Sequence, residues 1–215
     1  YEDIHQLESF KQGHLVLPST LDEELKSLIL RYQDPLYPAI PPLGPSTLLP
    51  HQIDACRLTL KNPRAGVYMD CRTGKTIVLL YTIYTRKEKT LVIGPKIACD
   101  NWIKEVNTHF PSPLLTISSI YGETKKKRDT LLNQAIENQS DITITSFENL
   151  RILQEEINKR LSYNCLVVDE AHRVKSYNAA RTKAILKIGS KARYRYLLSG
   201  TPTVGDPTDI YAQMQ

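Results

Sequence analysis

From Leu48 onward the chain alternates short apolar runs with amphipathic stretches, and most apolar runs stop at small or charged residues. Apolar periodicity predicts helices over 52–60, 75–85, 100–109, 124–138, 147–159 and 178–187. Strands are expected between them, over 66–69, 90–93, 114–120, 141–145, 165–168 and 195–198. Such alternation builds an α/β domain, a mostly parallel sheet with right-handed crossovers and helices on both faces. Open sheets of this kind bind ligands at the carboxyl ends of their strands. The residues just after each apolar run therefore carry the functional information.

After the run Gly66-Val67-Tyr68-Met69 comes Asp70-Cys71-Arg72-Thr73-Gly74-Lys75-Thr76, and then Ile77-Val78-Leu79-Leu80. That order is strand, loop, helix. Gly74 lets backbone N–H groups approach phosphates, and the helix N-terminus adds partial positive charge. Lys75 has the length to reach the β- and γ-phosphates of a nucleotide, and the Thr76 hydroxyl can ligate Mg²⁺. A Gly-Lys-Thr tripeptide alone is weak evidence, so its companions matter.

The run Cys165-Leu166-Val167-Val168 reads as a strand buried on both faces, and Asp169-Glu170-Ala171-His172 follows at its carboxyl end. Asp169 is suited to hold Mg²⁺ through water, and Glu170 to orient and deprotonate an attacking water. His172 stands close enough in sequence to sense what the carboxylates hold. Two acids at this point could also simply cap a helix. Beside the Lys75 loop the metal reading is the stronger. A third apolar strand, Tyr196-Leu197-Leu198, stops at Ser199-Gly200-Thr201-Pro202.

Composition narrows the classes. Hydrophobic content of 41% and charged content of 24% are those of an ordinary globular chain. No apolar run approaches bilayer-spanning length, and the N-terminus lacks signal-peptide character. Cys56, Cys71, Cys99 and Cys165 are scattered without a Cys-x-x-Cys pair, which argues against zinc and against a disulfide framework. A reducing cytoplasm is the expected compartment. The net charge of +5 is compatible with nucleic acid without requiring it. The dense basic run Lys125-Lys126-Lys127-Arg128 fits either a solvated face or a contact with duplex phosphates.

Residues 1–45 read differently from the rest. Thr20 to Glu23 has capping-box spacing, and Leu21, Leu25, Leu28, Ile29 and Tyr32 recur with helical period. Pro35, Pro38, Pro41, Pro42, Pro45 and Pro50 then impose an extended connector. The expected organisation is an N-terminal extension over 1–45 and an ATP-binding domain over 46–215.

The motifs taken together resemble the first RecA-like lobe of superfamily-two helicases and translocases. Within that superfamily the chain is most similar to the Swi/Snf-type double-stranded DNA translocases, especially the short phage and bacterial versions. The resemblance runs from Leu48-Leu49-Pro50-His51-Gln52, similar to the adenine-reading glutamine motif, through Gly74-Lys75-Thr76, motif I. Leu91 to Lys96, with Trp102 and Glu105, resembles motif Ia, and Ile144 to Leu150 the next nucleic-acid motif. Asp169 to His172 is motif II, and Ser199 to Pro202 is motif III.

The resemblance implies ATP and Mg²⁺ as cofactors, double-stranded DNA as the track, and a cytoplasmic location in a bacterial or phage-infected cell. It implies that Gln52 reads adenine, and that Arg72, Thr73, Gly74, Lys75 and Thr76 bind the nucleotide. Lys75, Asp169, Glu170 and His172 carry catalysis, with Thr76 and Asp169 holding the metal. Lys96, Thr145, Ser146 and Lys175 are the candidates for DNA phosphates, while Ser199, Gly200 and Thr201 couple nucleotide state to the track. Trp102 is expected to pack in the core or between lobes. Two departures stand out: Met69 occupies the loop's usual first glycine position, and Arg72 another glycine position. A complete motor of this kind has a second RecA-like lobe, and without it weak hydrolysis is expected. A strand-separating helicase or restriction-enzyme motor subunit is the alternative, and a non-catalytic nucleotide-binding scaffold the alternative of another class.

Overall fold

The computed structural model describes residues 10–11, 14–15, 48–174 and 179–201. Two units are distinguished, Tyr1–Ala39 and Ile40–Gln215. In the first, β1 (Phe10–Lys11) pairs antiparallel with β2 (His14–Leu15), a short ladder that the sequence reading does not anticipate. The helix expected near 21–32, the proline-rich connector through Pro45, Lys175 and Pro202 lie outside the described residues, while Pro50, counted with the connector, instead opens a helix, where its missing N–H costs nothing.

The second unit is the α/β domain. Its elements are α1 (Pro50–Lys61), β3 (Arg64–Tyr68), α2 (Lys75–Arg86), β4 (Thr90–Gly94), α3 (Lys96–His109) and β5 (Ile117–Ser119). They continue with α4 (Lys125–Glu137), β6 (Ile142–Ser146), α5 (Phe147–Arg160), β7 (Cys165–Val168), α6 (Ala180–Gly189) and β8 (Tyr194–Ser199). The six strands β3 to β8 form one sheet in the order β3-β8-β7-β4-β6-β5, and every pairing is parallel.

Strand side chains alternate between two apolar layers, as the period of two requires. Val92, Ile142, Ile144, Val167, Tyr196 and Leu198 face the layer formed with α1, α2 and α3, where Val78, Leu79, Trp102 and Phe110 are buried. Leu91, Ile93, Leu166 and Val168 face the opposite layer, against Leu132 of α4, Leu150 and Leu153 of α5, and Ile185 and Ile188 of α6. The two layers together remove β4, β6 and β7 from water, which is the main term holding such a fold.

Most element boundaries fall within two residues of expectation, and two differ by more. Helix α3 begins at Lys96 directly after Pro95, a turn earlier than periodicity suggests. Ile97 breaks the pattern because it points into solvent, 72% exposed. Strand β5 is shorter than the apolar stretch around it. Thr116 gives its N–H (2.9 Å) and hydroxyl (2.7 Å) to the Asp141 carboxylate, and pairing with β6 begins only at Ile117.

Candidate nucleotide site at the carboxyl edge of the sheet

The sheet order brings together what the sequence separates. Strand β8 lies between β3 and β7, with Tyr68 in register with Ser199 and Val168 with Leu197. The loops that leave these three strands at their carboxyl ends are therefore neighbours. They carry Asp70 to Thr76, Ser199 to Thr201, and Asp169 to His172.

The first loop is shaped by left-handed backbone. Gly74, the N-cap of α2, has φ 88°, and a Cβ there would lie 2.3 Å from the Gln52 amide nitrogen. Only glycine fits both demands. Arg72 also sits at positive φ, 64°. The glycine usual at that position is thus explained, and arginine keeps the conformation at a cost of ~1–2 kcal/mol. The Arg72 side chain is exposed. Lys75 folds back over the loop, and its Nζ donates to the carbonyls of Met69 and Asp70, both at 2.9 Å. Thr76 follows in the first turn of α2, half-buried.

Gln52 clasps this loop. Its Nε2 donates to the Thr73 carbonyl at 3.0 Å, while its Oε1 accepts from the Leu49 N–H at 2.9 Å. Each end of the amide thus makes one hydrogen bond in this arrangement, leaving one N–H and one oxygen lone pair. His51, which the sequence reading passes over, also reaches the Thr73 carbonyl, at 3.1 Å.

Asp169 is buried at the end of β7. Its Oδ1 accepts from the Glu170 N–H at 2.8 Å, and its Oδ2 from the Trp102 indole N–H at 2.9 Å. Burial raises its carboxyl above the usual aspartate range. The two hydrogen bonds and the positive charge of Lys75 pull the other way, and nearby Glu170 adds to the rise. Lys75 is the weakest of these influences, and it is the strand order β3-β8-β7 that brings its loop and Asp169 to the same sheet edge. Gly200 joins them, since a Cβ on it would lie 3.7 Å from the Lys75 Nζ.

Glu170 adopts left-handed φ and ψ of 52° and 50°, unusual for a residue other than glycine. This turn sends the chain into a short 3₁₀ segment, Ala171–Arg173, and brings His172 back over the strand ends. His172 Nδ1 lies 3.2 Å from a Glu170 carboxylate oxygen and 3.2 Å from the Ser199 hydroxyl. The Ser199 hydroxyl also accepts from the Thr201 N–H at 3.1 Å. One chain of contacts thus joins the acid after β7 to the backbone after β8.

The candidates for DNA contact divide. Lys96 is exposed, its Nζ 4.8 Å from the Tyr121 ring centroid. Thr145 and Ser146 are fully buried, contrary to the expectation that their side chains touch phosphate. They lie in β6, which is covered on both faces, and the Ser146 hydroxyl caps α5 by accepting from the Asn149 N–H at 3.2 Å. Lys125, Lys126 and Lys127 are exposed in the first turn of α4, whereas Arg128 donates to the Gly122 and Glu123 carbonyls at 3.1 Å. Three lysines there oppose the helix dipole, so stability does not account for them.

The donor set tests for a cation. Among the described residues no group of three or more His, Cys, Asp or Glu could hold a metal. A hard cation here would share the Thr76 hydroxyl and the Asp169 carboxylate with oxygens of a bound nucleotide, as Mg²⁺ does. The cysteines are all free. Burial pushes the thiols of Cys56, Cys99 and Cys165 up to about 12, so they act as packing groups.

Comparison with known proteins agrees with this geometry. A family model described as the SNF2-related domain matches residues 60–215. The human DNA annealing helicase and endonuclease ZRANB3 is 30% identical over 198 residues, 88% of this chain and 17% of that protein. The ISWI chromatin-remodeling complex ATPase ISW2 of Saccharomyces cerevisiae is 30% identical over 159 residues, 71% of this chain and 14% of its own length. Among solved structures, the Sulfolobus solfataricus SWI2/SNF2 ATPase core in complex with dsDNA superimposes with a TM-score of 0.67 at 22% identity. That match covers 80% of this chain and 36% of the other, and it shows a shared RecA-like fold. This chain therefore spans a small part of the length of its curated relatives and belongs to the SNF2-related domain family.

Proposed function

We propose that this chain is the ATP-binding lobe of a DNA-dependent ATPase that couples hydrolysis to translocation on double-stranded DNA. The observation that carries the reading is the convergence of the loops after β3, β8 and β7 at one sheet edge, with the Lys75 amine beside Gly200. Relatives named as ATPases and an annealing helicase support it, as does a similar fold described with dsDNA.

In this reading the N–H groups opening α2 bind the phosphates, and Lys75 leaves its two loop carbonyls to take a phosphate oxygen. Thr76 and Asp169 hold Mg²⁺, which when bound offsets phosphate charge and polarises the terminal phosphoryl group. Glu170 orients the attacking water and accepts its proton. His172 and Ser199 pass the state of that carboxylate to Thr201. Lys96 and the lysines of α4 meet DNA phosphates, which position the duplex without reading its sequence. A second RecA-like lobe of the same protein closes the cleft and supplies an arginine, a group worth roughly 10³–10⁵ in rate. Such an enzyme works in the cytoplasm, beside the DNA it tracks.

The test is ATP hydrolysis by the intact protein with duplex DNA, single-stranded DNA and RNA. Strongest stimulation by the duplex, lost in Glu170→Gln with nucleotide binding kept, is the expected result. Preference for single strands or RNA would favour a strand-separating helicase, and unchanged activity in Glu170→Gln a non-catalytic scaffold.

A further inference from the structure

Trp102 is the single tryptophan of the chain and is fully buried on α3. Its spacing with Ala98, Cys99 and Val106 marks it as a core residue, and packing alone would account for the ring. The indole nitrogen adds something packing does not require. An indole N–H is a donor only, and burying it without an acceptor costs ~1–3 kcal/mol. Its acceptor here is Oδ2 of Asp169, at 2.9 Å.

The second donor, the Glu170 N–H, takes the other oxygen at 2.8 Å. Rotation of the carboxylate about its Cβ–Cγ bond would break both bonds, so two donors from different elements fix its plane. Neither donor carries charge. The carboxylate is thus oriented without being neutralised, whereas a lysine or arginine in the place of Trp102 would cancel the charge a cation needs. Close approach of α3 makes the contact possible. A Cβ on Gly94, at the end of β4, would lie 3.3 Å from the Asp169 Cβ and 3.4 Å from that of Ala98. The bare backbone leaves room for Asp169 and α3 side by side.

We infer that Trp102 is a positioning residue for the metal-binding carboxylate, aiming Asp169 from behind at a divalent cation. This rests on the proposed nucleotide site. Partners that orient a ligating side chain in this way typically contribute 10–100-fold to metal affinity. The same contact makes Trp102 an internal reporter, because a change in the cation held by Asp169 acts on the hydrogen bond of its indole.

The test uses the non-hydrolysable nucleotide AMP-PNP, with Trp102→Phe to keep the ring and remove the N–H. Calorimetric titration at a series of Mg²⁺ concentrations is expected to show half-saturating Mg²⁺ raised about 10–100-fold in the variant. Affinity for AMP-PNP in EDTA is expected to match that of the unaltered protein. Unchanged Mg²⁺ dependence, or an equal loss with and without metal, would overturn the inference, since a purely structural role gives one or the other. A second measurement compares the two proteins saturated with AMP-PNP: adding Mg²⁺ shifts tryptophan emission in the unaltered protein and not in Trp102→Phe. No shift on metal addition also overturns the inference. If the unaltered protein binds AMP-PNP neither with nor without metal, the nucleotide site itself is wrong and the role of Trp102 goes with it.

Discussion

The side-chain amide of Gln52 donates to the Thr73 carbonyl at 3.0 Å, so α1 holds the loop that precedes α2. The same amide nitrogen occupies the space beside Gly74 that a Cβ would need. Loop conformation and helix position are thereby linked at the Thr73 carbonyl, which His51 of the same helix also reaches, at 3.1 Å.

Gly74→Ala breaks this link from the other side. Alanine at a φ of 88° costs ~1–2 kcal/mol, and its methyl group must displace Gln52. The variant is expected to fold with a modestly lowered melting temperature and to lose about tenfold or more in nucleotide affinity, a loss of ~1.4 kcal/mol or more. Thermal melts and calorimetry on the same preparation check both.

Arg72 allows a cleaner test of backbone strain. At φ 64° the residue lies where glycine is at ease and a β-branched side chain is not. Arg72→Gly is expected to hold or raise stability, by up to ~1 kcal/mol, while Arg72→Val lowers it by ~1–2 kcal/mol. Denaturant melts of the pair give the comparison. Equal stability of the two variants would show that this loop does not require the left-handed conformation.

His172 Nδ1 lies 3.2 Å from both a Glu170 carboxylate oxygen and the Ser199 hydroxyl. If this contact carries nucleotide state to the Ser199–Thr201 segment, His172→Ala leaves nucleotide binding within about twofold. DNA stimulation of hydrolysis then falls about tenfold, the loss of one hydrogen-bonded link worth ~1–1.5 kcal/mol. Steady-state ATPase assays of the intact protein, with and without duplex DNA, separate the two effects.

Acid stability tests the packing of the opposite end of the sheet. Burial pushes the Asp141 carboxyl up, but bonds from the Thr116 hydroxyl and N–H and from Lys89 outweigh it, leaving the group below the ordinary aspartate range. A lowered folded-state value means this stability is present above the unfolded value and is lost as pH falls through the folded one. Melts recorded from neutral pH downward are expected to fall more steeply in the unaltered protein than in Asp141→Asn over that acid window.

Much of this was legible beforehand because local pattern and global fold agree. The runs Leu91-Val92-Ile93 and Leu166-Val167-Val168 are buried on both faces, and uninterrupted apolar strands can sit nowhere else in an α/β sheet. The candidates Asp169 and Glu170 are read from their position just after such a run, and Lys75 from the Gly-Lys-Thr loop that follows the edge strand β3. Strand order was not legible, since β3 and β8 pair across more than a hundred residues of chain and no local rule selects that neighbour. The partner of Trp102 was hidden for the same reason. Helical spacing marks the ring as core, while the acceptor comes from a distant strand. Thr145 and Ser146 are DNA candidates only through a motif resemblance, which carries no information on burial, and they lie inside a strand covered on both faces.

The account depends most on a nucleotide site built by Lys75 together with the Asp169 and Ser199–Thr201 segments. Calorimetric binding of Mg²⁺–AMP-PNP to the unaltered protein and to Lys75→Ala tests it directly. Saturable binding that weakens about tenfold or more when the amine is removed is the predicted result, since a charge-assisted phosphate contact contributes ~1.5–3 kcal/mol. Equal affinity in the two proteins, or no binding to either, would contradict it.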